Sequence, residues 1–208
     1  MPLYTPLPKP IDGDEEDVSV RLVKLSPAGD TDKVSCNFVT CSLKDPIPYE
    51  ALSYCWGNED NMAEITCDGY PIKIRSNLHD FLLRTRAKGT ERTLWIDALC
   101  INQLDLEEKG LQVKAMRYIY KRARRTLIWL GKEDQHGTIG LDFAQEMSAK
   151  FQGIKPRGAD GNEKEEPKLP WYRFKYYEMF SRVWAPQWGA FFGIFDREWF
   201  TRVWIIQE

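Results

Sequence analysis

Residues 94–103, "LWIDALCINQ", begin as an interior strand and then depart from that pattern. Leu94, Trp95 and Ile96 suit a strand buried on both faces, but Asp97 follows at once, with Cys100, Asn102 and Gln103 close behind. One reading is structural: the strand leaves the core, and Asp97 bonds the backbone of its own turn and fixes the start of the next helix. The other is functional: the strand's carboxyl end lines a site, and Asp97 touches a ligand or orients Asn102 and Gln103. Both readings place a strand end here, so the neighbouring segments decide the fold.

Downstream, Asp105 and Glu108 stand at capping-box spacing, with Asp in the Ser/Thr place. The helix they start carries Val113, Met116, Tyr120 and Ala123 at helical spacing and closes on Lys121, Arg122, Arg124 and Arg125, cations that suit a helix C-terminus. "TLIWL" (126–130) is a short buried strand stopped by Gly131. Strand, helix, strand at this spacing is a βαβ unit, so part of the sheet is expected to be parallel.

Upstream, "VSVRLVKL" (18–25) and "VSCNFVTCSL" (34–43) read as two strands joined by a polar turn, and "YEALSYCW" (49–56) as a more buried one. "EITCDGYPIKI" (64–74) is expected to be a hairpin turning at Asp68-Gly69. Ser76 is placed to cap a helix that puts Leu78, Phe81 and Leu82 on one face, with Gly89 as its stop. Residues 1–17 are Pro-rich, then acidic, and read as an arm before a single domain spanning 18–208. A helix is expected over 142–151, a flexible insertion over 152–170, and a helical face of Trp199, Phe200, Val203 and Trp204 near the end.

Bulk properties narrow the function classes. The 208 residues suffice for a sizeable core, and a formal charge of −2 gives no argument for a nucleic-acid or membrane partner. No apolar run approaches a membrane span, and the N-terminus has no apolar signal region. Five cysteines without a CxxC pair fit a reduced, cytoplasmic protein with buried thiols. GxxxxGK[ST], GxGxxG and GxSxG are all absent. His79, on an amphipathic helix, and His136, in a polar loop, give a histidine triad or zinc site little material. Cys55 and Cys100 both fall at strand ends, but nothing nearby in the sequence lowers a thiol pKa.

Four stretches taken together carry a resemblance. "YEALSYCWG" (49–57), "LWIDALCINQ" (94–103), "EKGLQVKAMRYIYKRARRTLIWLG" (108–131) and "REWFTRVWIIQE" (197–208) resemble, in order and spacing, the signature blocks of the fungal heterokaryon-incompatibility (HET) domain. Lys109 departs from a frequent Arg, and Glu198 from a common Pro. The resemblance implies a cytosolic trigger of cell death after fusion of unlike hyphae. HET domains are similar to TIR domains, and "LWID…LEEKGLQVKAMRYIYKRARRTLIWL" resembles the TIR run of strand, Asp, helix and strand. "REWFTRVWIIQE" resembles the TIR segment whose Glu is required for NAD⁺ cleavage, which makes Glu208 the matching candidate catalytic residue.

The implied fold is α/β, a TIR/flavodoxin-like three-layer core with a partly parallel sheet, extra N-terminal strands and the β-hairpin. In that order the 51–56 strand is central, between 94–97 and 126–130. Ligands in open α/β sheets bind beyond the carboxyl strand ends. The implied pocket edge is then Trp56, Gly57 and Asn58, Asp97, Asn102 and Gln103, and Gly131, with the two glycines permitting close approach to backbone amides. No cofactor or metal is called for. NAD⁺ or NADP⁺ would be substrate, and self-association or other HET and signalling proteins the partners. A TIR-like sheet needs two further strands that nothing after 131 clearly supplies. Either earlier elements replace them, or the chain is a domain fragment or a natural short form. A non-catalytic assembly module of the same fold is the alternative.

Overall fold

The computed structural model describes residues 3–9, 18–27, 29, 33–151 and 185–202. They fall into two compact units, one drawn from Met1–Lys132 and Thr201–Glu208 and the other from Glu133–Phe200.

The first unit is built on a seven-stranded mixed sheet. Its strands are β1 (Ser19–Leu25), β2 (Ser35–Ser42), β3 (Glu50–Tyr54), β4 (Met62–Cys67), β5 (Tyr70–Arg75), β6 (Arg92–Trp95) and β7 (Arg125–Trp129), in the order β5-β4-β2-β1-β6-β3-β7. Parallel β6-β3-β7 pairing makes β3 the middle strand between the two neighbours expected from the sequence. On the β6 side, antiparallel β1 and β2 and the β4–β5 hairpin extend the sheet. The hairpin turns at Asp68 (φ 48°) and Gly69 (φ 81°), two consecutive left-handed residues, as a tight two-residue turn requires. It joins the sheet through a short parallel ladder that sets Cys36 opposite Cys67.

Three helices belong to this unit: α1 (Ser76–Thr85), the single-turn α2 (Asp97–Cys100) and α3 (Leu106–Arg122). Trp95, in register with Ala51, meets Tyr120 of α3 edge-on at 5.5 Å. Trp129, in register with Tyr54, meets Phe81 of α1 at 5.8 Å. Side chains alternate along a strand, so residues 51 and 54 point to opposite faces and the two helices cover opposite faces of the parallel strands. The core between them includes Leu52, Leu78, Leu82, Trp95, Ile96 and Ile119, all essentially solvent-free. Each such side chain contributes about 1.5–3 kcal/mol by leaving water.

Several boundaries differ from the sequence reading. Ser76 is the first helical residue rather than the cap: β5 runs straight into α1, and Arg75 occupies the cap position without a side-chain capping bond. Gly89 (φ 72°) does not end α1 but turns the chain between Ala87 and Thr90, after Arg86 has closed the helix. Asp105 does cap α3, accepting from the Glu107 and Glu108 amides at 3.0 Å. Glu108 does not reciprocate; its carboxylate turns instead to Arg21 and the Asn102 amide. Arg21 was a polar position in an alternating strand, yet it is 2% exposed. The described part of the N-terminal arm, residues 3–9, lies against the sheet: Tyr4 stacks on Phe38 at 5.6 Å and Leu3 packs against the core.

In the second unit α4 (Gln135–Phe151) and α5 (Ala185–Phe195) pack together, followed by a 3₁₀ turn (Glu198–Thr201). The helix expected at 142–151 starts seven residues earlier and takes in His136, which is helical rather than in a loop. Gly140, within α4, marks close helix contact, since a Cβ there would lie 2.7 Å from the Ala190 carbonyl oxygen. Trp199 is buried in the 3₁₀ turn, while Val203, Trp204 and the 152–170 insertion lie outside the described residues. No helix among the described residues is long and apolar enough to cross a membrane.

Candidate functional site

The carboxyl ends of β3, β6 and β7 lie side by side, and most residues singled out from the sequence gather there. After Tyr54 the chain leaves β3 through Cys55, Trp56 and Gly57, whose φ of 79° turns it back toward the start of α1. A side chain at 57 would put its Cβ 3.3 Å from that of Asn77, so the glycine serves both the turn and the close approach. Asn77, unremarked in the sequence, ties two strand ends together. Its amide nitrogen donates to the Cys55 carbonyl at 2.6 Å, and its oxygen accepts from the Trp129 indole at 2.8 Å. Gly131, with φ 102°, follows immediately after β7.

Asp97 is the hub on the β6 side. One carboxylate oxygen accepts from the Trp56 indole at 2.8 Å and the other from the Ala98 amide at 2.7 Å. Burial drives the Tyr54 phenol well above its usual pKa, and the neighbouring Asp97 carboxylate, to which it hydrogen-bonds, pushes the same way. Three donors thus converge on Asp97. The Gln103 side chain donates to the Asp97 carbonyl at 3.1 Å, which draws the 101–104 loop onto α2.

The remaining residues point elsewhere. Asn102 is held by its own loop: its amide donates to Glu108 at 2.7 Å and its side-chain oxygen accepts from the Leu104 amide at 3.2 Å. Asn58 accepts from the Asp60 amide two residues on. Arg75, also missed from the sequence, donates to the Gly57 carbonyl at 2.8 Å, pairs with Glu59, and lies 5.1 Å from the Trp56 ring centre. This Arg–Trp layer is the edge's charged, aromatic wall. Arg75 and Asn77 gave no signal because they flank Ser76, the residue expected to cap the helix.

Glu208 lies outside the described residues. Six positions before it, Arg202 donates to the buried Ser53 hydroxyl at 3.3 Å, one residue from the carboxyl end of β3. Among the described residues no cluster of His, Cys, Asp and Glu has the makings of a metal site. None of the five cysteines is in a disulfide; Cys36, Cys67 and Cys100 are buried, and burial pushes the Cys100 thiol far up, away from nucleophilic chemistry. What remains is a strand-end edge of amide donors and carbonyls, two indoles, a guanidinium and one carboxylate. Such a set suits a flat, polar ligand that is oriented rather than attacked by these residues.

A sequence profile described as "Heterokaryon incompatibility protein (HET)" matches residues 49–208. The chain is similar to the Neurospora crassa protein "Heterokaryon incompatibility protein 6, OR allele", with 32% identity over 217 residues that cover 91% of this chain and 31% of that protein. The chain therefore spans about a third of the length of that curated relative. No solved structure matches.

Proposed function

The chain belongs to the heterokaryon incompatibility (HET) family, and on that premise we propose that it acts in fungal non-self recognition and cell-death signalling by cleaving NAD⁺ at the carboxyl edge of β6-β3-β7. The observation that carries this reading is the edge itself. Parallel strands in the order β6-β3-β7, with α1 and α3 on opposite faces, are the core that a TIR/flavodoxin-like sheet would have, and its ligands bind at that edge. The strands on the β6 side are an elaboration of it.

Cleavage of the nicotinamide–ribose bond asks little of the protein. Nicotinamide departs neutral and needs no general acid. The ribose passes through an oxocarbenium-like state that one ionised carboxylate stabilises, before water takes the vacated carbon. A chain with two histidines is adequate for such chemistry. Glu208 is the carboxylate assigned this role; Arg202, six positions before it, donates to Ser53 near the carboxyl end of β3. Trp56 and Arg75 would flank the base or ribose, and Asp97 would keep the Trp56 indole in place.

A second reading, assembly without catalysis, is favoured by one observation. Leu104 and Leu106, on either side of the α3 cap, are 95% and 80% exposed, and Ile128 on β7 is half exposed. Exposed leucines beside an edge suit a partner surface better than a substrate pocket. Expression in a fungal host separates the two. The catalytic reading expects cell NAD⁺ to fall as cells die, with Glu208→Gln abolishing both. Death that persists with NAD⁺ unchanged would favour assembly.

A further inference from the structure

We propose that residues 3–9 form a strap that sets the conformation of the 101–104 loop, with Arg21 and Glu108 as the positioning residues between them. The importance of that loop rests on the reading of the strand-end edge as the site; the coupling does not. Arg21 projects from β1 and is 2% exposed. Its Nη1 donates to the Cys100 carbonyl at 2.6 Å and to Glu108 at 2.9 Å, while Nη2 donates to the Thr5 carbonyl at 2.9 Å and to the other Glu108 oxygen at 3.3 Å. The Tyr4 ring covers the same guanidinium, 4.8 Å from its carbon. One side chain thus holds the strap, the end of α2 and the start of α3 at once.

Glu108 passes the connection on. The oxygen that accepts from Arg21 Nη1 also accepts from the Asn102 amide at 2.7 Å, and the adjoining Gln103 bonds the Asp97 carbonyl. With the strap seated, the guanidinium is sheltered from water and the Arg21–Glu108 attraction is strong. Lifting it removes the Thr5 acceptor and the Tyr4 ring, admits water to Nη2 and weakens the hold on Glu108. The Asn102 amide then loses a fixed acceptor, and the loop beside Asp97 gains freedom. Lys9 also ties the strap, but to exposed Glu107, outside this connection.

Amide hydrogen exchange on the full chain tests the coupling. Tyr4→Ala, and separately deletion of residues 2–9, should speed exchange at Ile101, Asn102 and Leu104 by about tenfold. Lys9→Ala should leave those amides within about twofold of the parent. Val23 and Leu94, in the sheet, should stay protected in every variant, which also shows that the truncated chain folds. A synthetic peptide of residues 1–12 should restore loop protection to the deletion variant. Loop exchange unchanged without the strap, or sheet amides accelerating by the same factor, would overturn the proposal. Nicotinamide release measured on the same samples reports on catalysis alone, so either idea can fail without the other.

Discussion

Consider replacing Glu108 with leucine. Arg21 would then keep its charge at 2% exposure, with the Cys100 and Thr5 carbonyls as its remaining hydrogen-bond acceptors among the described residues. Removing one member of a buried pair costs about 3–5 kcal/mol, because the survivor remains desolvated. The two carbonyls place this case near the lower end, about 3 kcal/mol. Arg21→Met mirrors it, leaving the Glu108 carboxylate with the Asn102 amide as its bonded donor. The double variant Arg21→Met/Glu108→Leu buries no charge and takes a partner from one donor, the Asn102 amide, and two acceptors, the Cys100 and Thr5 carbonyls, about 1–2 kcal/mol. The double variant should therefore be more stable than either single one. Urea unfolding followed by tryptophan fluorescence reads this. With a slope of about 2 kcal/mol per molar, each single change lowers the midpoint by roughly 1.5 M and the pair by less than about 1 M. Strictly additive losses in the double variant would refute the view of Arg21 and Glu108 as one buried unit.

Glu50 is partly desolvated, which raises its pKa, but bonds from Arg92 and Arg125 outweigh this and hold it below the ordinary 4.5. A depressed folded pKa means stability present above the unfolded value and lost as pH falls through the folded one. Glu50→Gln should accordingly destabilise at pH 7, and its deficit should shrink below about pH 4 in urea titrations at stepped pH. Gly57→Ala should cost about 1–2 kcal/mol, more than Gly69→Ala; both positions have positive φ, but only Gly57 faces a close neighbour. A thiol reagent on the native protein should label half-buried Cys41 and Cys55 first, with Cys36, Cys67 and Cys100 reacting after urea is added. Burial raises the Cys41 pKa, so its labelling should quicken as pH rises above 8.

The fold was legible where the chain's signals are local. Asp68-Gly69 announced its own turn, Asp105 its own helix, and the strand–helix–strand run 94–130 its own parallel pairing. What the sequence hid was non-local. Nothing in "VSVRLVKL" says that β1 lies between β2 and β6, and so nothing says that Arg21 is interior; strand alternation assigns a basic residue to solvent unless a distant carboxylate receives it. Gly140 gave no reading, because glycine serves both loops and close helix crossings, and its neighbour Ala190 lies fifty residues on. At the strand-end edge, Trp56, Gly57, Asp97 and Gln103 could be chosen because they follow apolar runs. Asn77 and Arg75 could not, because their partners, Cys55, Trp129 and Gly57, are set by the sheet order. Asp97 bonds its own turn through Ala98, as the structural reading expected, and also holds the Trp56 indole, a contact that neither reading of the sequence named.

The central claim is that this HET chain consumes a nicotinamide dinucleotide through Glu208. Purified protein, concentrated and with a crowding agent, is incubated with NAD⁺ and separately with NADP⁺, beside the Glu208→Gln variant, and free nicotinamide is followed by chromatography. The account predicts release by the parent chain from at least one dinucleotide and none by the variant. No release from folded, self-associated parent protein, or equal release by both, would contradict it.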